Sequence, residues 1–323
     1  MEENIRIGYA TKEDLRYRAS SGGIGTAILH YLLHSRQYGT GITFFFDREK
    51  CQYDVKFIHS EEEINVCGSV YQDIDIYDFL KKNIRGIING IVVSCPPCQV
   101  SSIRNLLTKH NIKAFIISFC CSGQTTIEGT WCYYKFLGVS KNEIVNMQYR
   151  GNGWPSGIQI WLQDGRFIKR DNYTEPWSTI HRSQLFRPKR CFYCRRDTSH
   201  VADISLADPW LDDYKKNDKI GSTVFLVNTR QGEELVEKME KGGFIKSQPS
   251  NVEAYEKAQR PNLQKGKRID RDGRIFSLML KVNTNKLWHT FFTGSRRKMD
   301  LYIKLIHYFL RINHLYQKVC FSQ

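Results

Sequence analysis

The chain has 323 residues, of which 41% are hydrophobic and 13% aromatic, enough to bury a sizeable core in one large domain or in two. This composition excludes a disordered chain, and the polar start "MEENIRIGYATKEDLRYR" lacks the apolar stretch of a secretory signal. The formal charge of +15 is uneven, because residues 254–323 hold fifteen Lys and Arg against four Asp and Glu. No run of about 18 apolar residues predicts a spanning helix. We therefore expect the ten cysteines in a reducing cytoplasm, where paired spacings indicate metal or redox chemistry.

The apolar periodicity alternates between that of helices and that of strands. In chain order the predicted elements are a helix in "ASSGGIGTAILHYLLHS", two strands in "GTGITFFFD" and "QYDVKFIHS", a helix in "DIYDFLKKNIR", a buried strand in "GIINGIVVSC", a helix in "VSSIRNLLTKHN", a strand in "IKAFIISFCC", a hairpin in "IQIWLQDG" and "RFIKRDNY", and a strand and helix in "KIGSTVFLVNT" and "RQGEELVEKMEKG". The pattern predicts an α/β fold with a mixed or parallel sheet core and flanking helices. We divide it into a core, residues 1–253, and a basic, largely helical C-terminal extension, residues 254–323.

Cysteines mark the ends of two predicted strands. Cys95 and Cys98 follow one buried strand, and Cys120 and Cys121 end the next. A strand, a helix and a second strand at this spacing form a parallel crossover unit, whose ligands bind at the carboxyl ends of the strands. We therefore expect a functional site where these cysteines lie.

A further cysteine pair, Cys191 and Cys194, lies about a hundred residues downstream. A four-thiolate zinc site is one interpretation, although compact zinc modules separate their pairs by only about 15–20 residues. An iron–sulfur cluster held by distant loops also uses four thiolates. A thioredoxin-like pair is the third interpretation, and it would require the motif to open a helix in a small redox domain. The spacing leaves all three open. The isolated cysteines are interpreted as ordinary small residues: Cys51, Cys67, Cys132 and Cys320.

The turn from Ser20 to Gly23 precedes the first predicted helix. Glycines allow the backbone to approach a phosphate, and the following helix offers free amide groups and a positive dipole end. An ordinary helix N-cap with flexible glycines explains the same residues. Both interpretations remain open.

Six segments, in order, resemble the coenzyme F420 hydrogenase/dehydrogenase beta-subunit family: "ASSGGIGTAILHYLL", "CGSVYQDID", "VVSCPPCQVSSIRNLL", "FCCSGQ", "CFYCRRDTSHVADISLADPW" and "IGSTVFLVNTRQGEELVE". The resemblance extends from about Ala19 to Arg274. It implies FAD and a [4Fe-4S] cluster, with electrons passing between the cluster and a two-electron substrate at the flavin. A flavin joins two-electron to one-electron chemistry, so the combination is physically coherent.

The resemblance also implies which residues form the sites. It gives the cluster four thiolates, namely Cys98, Cys121, Cys191 and Cys194, with Cys95 and Cys120 as spare or neighbouring groups. The expected cofactor-binding residues are Ser21, Gly22, Gly23, Ser69, Tyr71, Gln99, Arg150, Asp203 and Asp208. Among these, Asp203, Asp208 and Arg150 are candidates for proton transfer by their position in the motifs, and each could equally be a structural ion pair. No catalytic residue is assigned.

Three departures from the family pattern bear on function. A dense ferredoxin-like run of cysteines is absent from the sequence, so an outside electron carrier, such as a ferredoxin or a partner subunit, is expected. Ser122 stands where the family has a histidine, and Ala207 where it has a glycine. Because fold does not fix substrate, the substrate and the use of F420 stay open.

The segment "KMDLYIKLIHYFLRINHLYQK" predicts an amphipathic helix preceded by the cations Arg296, Arg297 and Lys298. Residues 295–323 could bind an anionic membrane from the inner face, pack on the chain's own core, or fill a groove of a partner protein. No nucleic acid is expected for the oxidoreductase. The alternative functions are a zinc-stabilised binding protein whose basic tail holds anionic membrane or nucleic acid, and a non-catalytic subunit.

Overall fold

The computed structural model describes residues 4–264 except 172–173, 175–176, 183–185, 189, 192–193, 196–197 and 199. In chain order the principal elements are β1 (Asn4–Ala10), α1 (Glu13–Arg18), α2 (Ile24–His34), β2 (Thr40–Asp47), β3 (Gln52–Ile58), α3 (Ile76–Asn83), β4 (Ile91–Ser94), α4 (Pro97–Lys109), β5 (Ala114–Phe119), α5 (Ile127–Phe136), β6 (Ile144–Gln148), β7 (Gln159–Leu162), β8 (Phe167–Lys169), α6 (Trp177–Arg182), β9 (Ile204–Ala207), α7 (Asp212–Asn217), β10 (Thr223–Val227), α8 (Arg230–Lys241), β11 (Ile245–Pro249) and α9 (Val252–Leu263). The predicted C-terminal helix and Cys320 lie outside the described residues.

A mixed sheet forms the centre of the described chain, with strand order β11-β1-β10-β9-β5-β4-β2-β3. Its middle is parallel, because β2 pairs with β4, β4 with β5, and β5 with β9 in that sense. Antiparallel pairs complete both edges, including β2 with β3 and β1 with β10 and β11. The α/β prediction is confirmed, as is the crossover from β4 through α4 to β5.

Alternating side chains of the central strands bury the two faces of this sheet. Val92 and Phe115 point to one face, where they join the apolar side of α2 and α8. Val93 and Ile116 point to the other, against α3 and α4. Because both faces are covered by helices, the central strands consist of almost continuous apolar residues.

A smaller antiparallel sheet, β6-β7-β8, packs with α5 and α6 around a second core rich in aromatic side chains. The hairpin of β7 and β8 was predicted from its sequence, and the structure confirms it. Helix α9 begins at Val252 and therefore runs across the predicted boundary between residues 253 and 254. Among the described helices, none combines the length and the apolar character that crossing a membrane demands.

Candidate flavin and iron–sulfur site

A cavity of about 1050 Å³ opens at the carboxyl ends of three parallel strands. It is lined by the last residue of each of these strands, which are Ser94 of β4, Phe119 of β5 and Ala207 of β9. Gly25 and Thr26, in the first turn of α2, line it as well. The first backbone amides of a helix have no partner within that helix and carry its positive dipole end. The cavity is therefore suited to an anionic group beside α2.

The predicted Ser-Gly-Gly turn lies beside this cavity, but its members have different roles. Ser21 and Gly23 line the cavity, and Gly23 is the N-cap of α2 with a left-handed φ of 78°. Gly22 instead faces the sheet, where a Cβ atom would come within 2.5 Å of the Gly8 carbonyl oxygen. Its amide donates to the Thr223 hydroxyl at 2.9 Å. Gly22 is thus needed for close packing on β1 and β10. Its amide already donates to Thr223 and is not directed at a ligand in the cavity.

The loop from Gly68 to Tyr71 forms a second wall of the cavity. The Ser69 hydroxyl donates to that of Ser20 at 2.8 Å, which ties this loop to the Ser-Gly-Gly turn. The Tyr71 ring packs against His181 at 4.8 Å and against Trp177 at 6.3 Å between ring centroids. Both Ser69 and Tyr71 therefore lie where a cofactor in the cavity would contact them.

Arg150 and Asp208 form a bidentate ion pair in the cavity wall, with Nη–Oδ distances of 2.6 and 2.9 Å. Arg150 is buried and also donates to the Ser20 carbonyl oxygen at 2.6 Å. The Trp154 indole donates to the Asp208 carboxylate at 3.3 Å. The pair thus connects the end of β9 to the turn before α2, and its carboxylate is occupied by structural contacts.

Asp203 and Gln99 do not line this cavity. The buried Asp203 carboxylate accepts from the Ile116 amide at 2.7 Å, from Arg104 at 3.1 Å and from the Thr229 hydroxyl at 2.9 Å. Gln99 accepts from the Tyr77 amide at 3.1 Å. Both side chains connect elements of the fold, and their predicted contact with a cofactor stays a prediction.

The four cysteines implied by the family resemblance come from three separate segments, and contacts link them. Cys98, in the first turn of α4, forms a hydrogen bond with the Cys194 thiol. That bond, followed by burial and by the nearness of Cys194 and Cys121, raises the pKa of the Cys98 thiol. The Cys121 sulfur accepts a hydrogen bond from the Gly123 amide at 3.3 Å. Arg190 interacts electrostatically with both Cys191 and Cys98, which brings the fourth thiol to the same neighbourhood.

These cysteines are neighbours rather than a closed cage. Among the described residues, no group of three or more His, Cys, Asp or Glu side chains surrounds a point suited to a single metal ion. Cys121 lines the cavity, whereas Cys98 lines a separate surface groove. The cysteine group therefore extends from the cavity wall to the protein surface.

The remaining two cysteines of the motifs have different surroundings. Cys95 is fully buried in the apolar core between the sheet and α4, and burial raises the pKa of its thiol. Cys120 packs beside β9 and β10 and also lines the cavity. Of Cys95 and Cys98, only Cys98 interacts with other cysteines of the proposed ligand set among the described contacts.

Sequence reasoning missed Arg187 and His181, which are both buried and line the cavity. Arg187 donates to the carbonyl oxygens of Ser122 and His181, and the His181 Nδ1 atom lies 2.9 Å from the Thr125 hydroxyl. A Cβ atom on Gly123, whose φ is +117°, would overlap the Arg187 guanidinium. Arg187 stands four residues before Cys191 in "FRPKRC", so its nearness to a predicted cysteine ligand could have identified it. The sequence around His181 contains no motif that indicates a role for this residue.

The charged residues that line the cavity are mainly cations. Arg150 and Asp208 neutralise each other, whereas Arg187 contributes a buried positive charge beside Cys121. Three further cations come from α7 and α9: Lys215, Lys257 and Arg260. Because cations that line a concave site attract anions, the arrangement favours a ligand that carries phosphate or carboxylate groups.

Comparisons with known proteins identify a family and a similar fold. Residues 6–81 match the family model described as coenzyme F420 hydrogenase/dehydrogenase, beta subunit N-term, and residues 88–253 match its C-terminus counterpart. The fold is similar to a chain in a solved structure of the F420-reducing [NiFe] hydrogenase complex from Methanosarcina barkeri. That likeness has a TM-score of 0.63 at 17% identity, and it covers 84% of this chain and 92% of the other. At this identity the likeness concerns the fold.

Proposed function

Because the chain belongs to the coenzyme F420 hydrogenase/dehydrogenase beta-subunit family, we propose that it is a flavin- and iron–sulfur-dependent oxidoreductase. It would pass electrons between a [4Fe-4S] cluster and a two-electron substrate at FAD. The observation that carries this proposal is the position of Cys121, which lines the large cavity and also interacts electrostatically with Cys98. One residue thus joins the space for a cofactor to the group of thiols.

The cavity fits FAD in volume and in charge. Ligand pockets span about 300–1,000 Å³, and this one, at about 1050 Å³, has room for a large cofactor. The first turn of α2 with Gly25 and Thr26 would hold the phosphates, since unpaired amides at a helix start bind them. Ser69 and Tyr71 would form the facing wall, where the Tyr71 ring packs against His181.

The four thiols are the donor set that a four-iron cluster uses. A structural zinc ion can take the same four thiolates, gathered around one point. Cys98, Cys121, Cys191 and Cys194 would hold the cluster, and the Gly123 amide would donate to the Cys121 sulfur. Hydrogen bonds to sulfur are one of the means by which a protein tunes a cluster potential.

A bound flavin would exchange electrons in pairs with the substrate and singly with the cluster. The residues of this chain would bind and orient. Arg187 keeps a positive charge beside Cys121 and would stabilise negative charge in that part of the cavity. Arg150 fixes the Ser20 carbonyl, so that the turn before α2 keeps its shape. The carboxylates of Asp203 and Asp208 are held in ion pairs, which favours structural roles for both.

Anaerobic purification of the full chain tests the proposal. We expect bound FAD, about four irons and four sulfides per chain, and a spectrum with flavin bands over a broad iron–sulfur shoulder. A colourless protein with stoichiometric zinc would favour the zinc-stabilised binding protein instead. A protein with neither flavin nor metal would correspond to the non-catalytic subunit.

Electron exchange would also need a partner outside this chain, either a small carrier such as a ferredoxin or another subunit. The similar solved chain belongs to a hydrogenase complex, which supports this expectation. Association of residues 295–323 with anionic membrane stays a separate proposal, because that segment lies outside the described residues. Vesicle sedimentation of the full chain and of a chain ending at residue 294 tests it, with binding by the full chain alone as the expected result.

A further inference from the structure

A second depression lies on the surface between α3 and α4, with a volume of about 790 Å³. Cys98 lines it, together with Tyr77 of α3 and the start and end of the exposed side of α4. Both helices pack on the same core layer of the sheet, so the groove rests on rigid elements. The cysteine group thus reaches two separate openings, the cavity through Cys121 and this groove through Cys98.

The groove is bordered by positive charge. Lys81, Lys109 and Arg190 line it and are exposed, and the Asp75 carboxylate lines it too. Because Arg190 is paired with Asp73, the positive charge comes chiefly from the two lysines. The Asp75 carboxylate caps α3 by accepting from the Asp78 amide at 3.0 Å. Within the described part of the chain, neither lysine takes part in a salt bridge. Both ammonium groups are therefore available to an incoming protein.

The sequence around the second cysteine pair adds to this basic character. In "RPKRCFYCRR", five Lys or Arg residues flank Cys191 and Cys194. Of these, Arg190 contributes to the groove and pairs with Asp73. Arg195 is exposed immediately after Cys194. Arg190 and Arg195 are thus the exposed cations next to Cys191 and Cys194 among the described residues.

We propose that this groove is the docking surface for a small acidic iron–sulfur protein, which exchanges single electrons with a cluster held by Cys98. The inference rests on the proposed function and adds the place and the charge of the partner. In each encounter the partner's cluster would lose one electron and a cluster held by Cys98 would gain it, without transfer of a proton. Electron-transfer complexes have small interfaces, below about 1,200 Å², and opposite charges raise their association rates.

The position of the groove also explains how a partner and a substrate could bind at the same time. The substrate would enter the cavity, which contacts Cys121 and the first turn of α2. The carrier would bind outside, where Cys98 is half-buried. Neither ligand then blocks the other, and electrons would cross the protein between the two openings.

The test uses anaerobically purified holoprotein and a reduced, acidic [4Fe-4S] ferredoxin as the probe. Lys81→Glu/Lys109→Glu reverses two groove charges, whereas Lys216→Glu/Lys238→Glu makes the same change in charge on the exposed sides of α7 and α8. Stopped-flow absorbance gives the second-order rate constant for electron transfer. Iron content, and complete reduction by dithionite, establish that each variant keeps its cluster.

We expect the groove variant to lose at least about tenfold in rate at low ionic strength, and the control less than about twofold, since steering changes association rates by 10–10³. Added salt should bring the groove variant and the wild type together. The rate constant of Lys81→Gln/Lys109→Gln should lie between those of the groove variant and the wild type. This variant replaces the charge reversal if the latter does not fold.

Equal rates for the groove and control variants, or a wild-type rate that is insensitive to salt, would overturn the docking surface while leaving the proposed function intact. A wild-type protein that contains no iron or sulfide would overturn the proposed function, and the docking inference with it. The cofactor assay precedes the kinetics, so the two failures are distinguishable.

Discussion

Replacing Gly123 by Ala probes the contact between the cavity and the cysteine group. The new Cβ would overlap the Arg187 guanidinium, which donates to the carbonyl oxygens of Ser122 and His181. Gly123 also has a φ of +117°, which L residues rarely adopt. The substitution therefore has to move a buried cation and strain the backbone at once.

The magnitude follows from these two effects. Hydrogen bonds to a charged group contribute about 1.5–3 kcal/mol each, and a non-glycine residue in a left-handed conformation costs about 1–2 kcal/mol. The alanine stabilises by about 0.4–1 kcal/mol through the unfolded chain. If the displaced guanidinium regains part of its bonding from water in the cavity, the net loss is about 3 kcal/mol.

Gly138→Ala is the matched control. Gly138 also has a positive φ, +71°, and no atom lies within 4 Å of the point where a Cβ would stand, so only the backbone strain remains. We expect this variant to lose about 1 kcal/mol or less. Urea denaturation followed by tryptophan fluorescence measures both free energies of unfolding.

A double-mutant cycle separates the clash from the strain. In an Arg187→Ala background, Gly123→Ala has no guanidinium to displace, and its cost should fall to that of the Gly138 control. If Gly123→Ala is no more destabilising than Gly138→Ala in the wild-type background, or if its cost is unchanged without Arg187, the contact between Gly123 and Arg187 is refuted.

The remaining predictions concern four other features. Thr26→Asp, but not Thr26→Asn, should lower the affinity for FAD at least about fivefold, because a carboxylate in the first turn of α2 suits the helix but repels a phosphate by about 1–4 kcal/mol; the flavin-to-protein absorbance ratio measures this. Cys98→Ala should lower iron content, whereas Cys95→Ala, in the same motif but in the core, should keep it. Arg150→Met should destabilise by about 3 kcal/mol in urea denaturation, because it leaves the Asp208 carboxylate without its partner, and Asp208→Asn should restore part of the loss. Burial raises the pKa of the Cys132 thiol from 9.0 to about 12, so the unfolded chain loses this proton first. Its stabilising contribution is complete below about pH 9 and falls by about 1.4 kcal/mol per pH unit towards pH 12, and Cys132→Ala should make the alkaline decline shallower.

Each of these results has a counterpart that would contradict it. Equal flavin content in the two Thr26 variants would mean that the flavin phosphates do not bind at the first turn of α2. Loss of iron from the Cys95 variant, with iron kept in the Cys98 variant, would mean that Cys95 and not Cys98 binds the cluster. Unchanged stability of Arg150→Met would deny the ion pair a structural role, and an unaltered alkaline slope in Cys132→Ala would mean that this thiol is solvated in the folded chain.

Local sequence patterns predicted the middle of the sheet well. The runs that became β4 and β5 are almost continuously apolar, and α4 between them has an amphipathic pattern, so the crossover followed from local periodicity. Strand β1 was not predicted. Its alternating sequence "NIRIGYA" resembles many exposed segments, and its place between β10 and β11 depends on partners more than two hundred residues away.

The sequence by itself determined the class of fold and the position of the cysteine motifs at the ends of strands, because periodicity and turn residues act over a few neighbours. Only the tertiary structure decided which members of each motif face the site. Cys95 and Cys98 are three residues apart, yet one enters the core and the other the surface groove. Gly22 faces the sheet while Gly23 faces the cavity, and Arg187 reaches Ser122 across 65 residues. These outcomes depend on which distant surfaces pack together, and packing between segments far apart in the chain leaves no periodic signal in either segment.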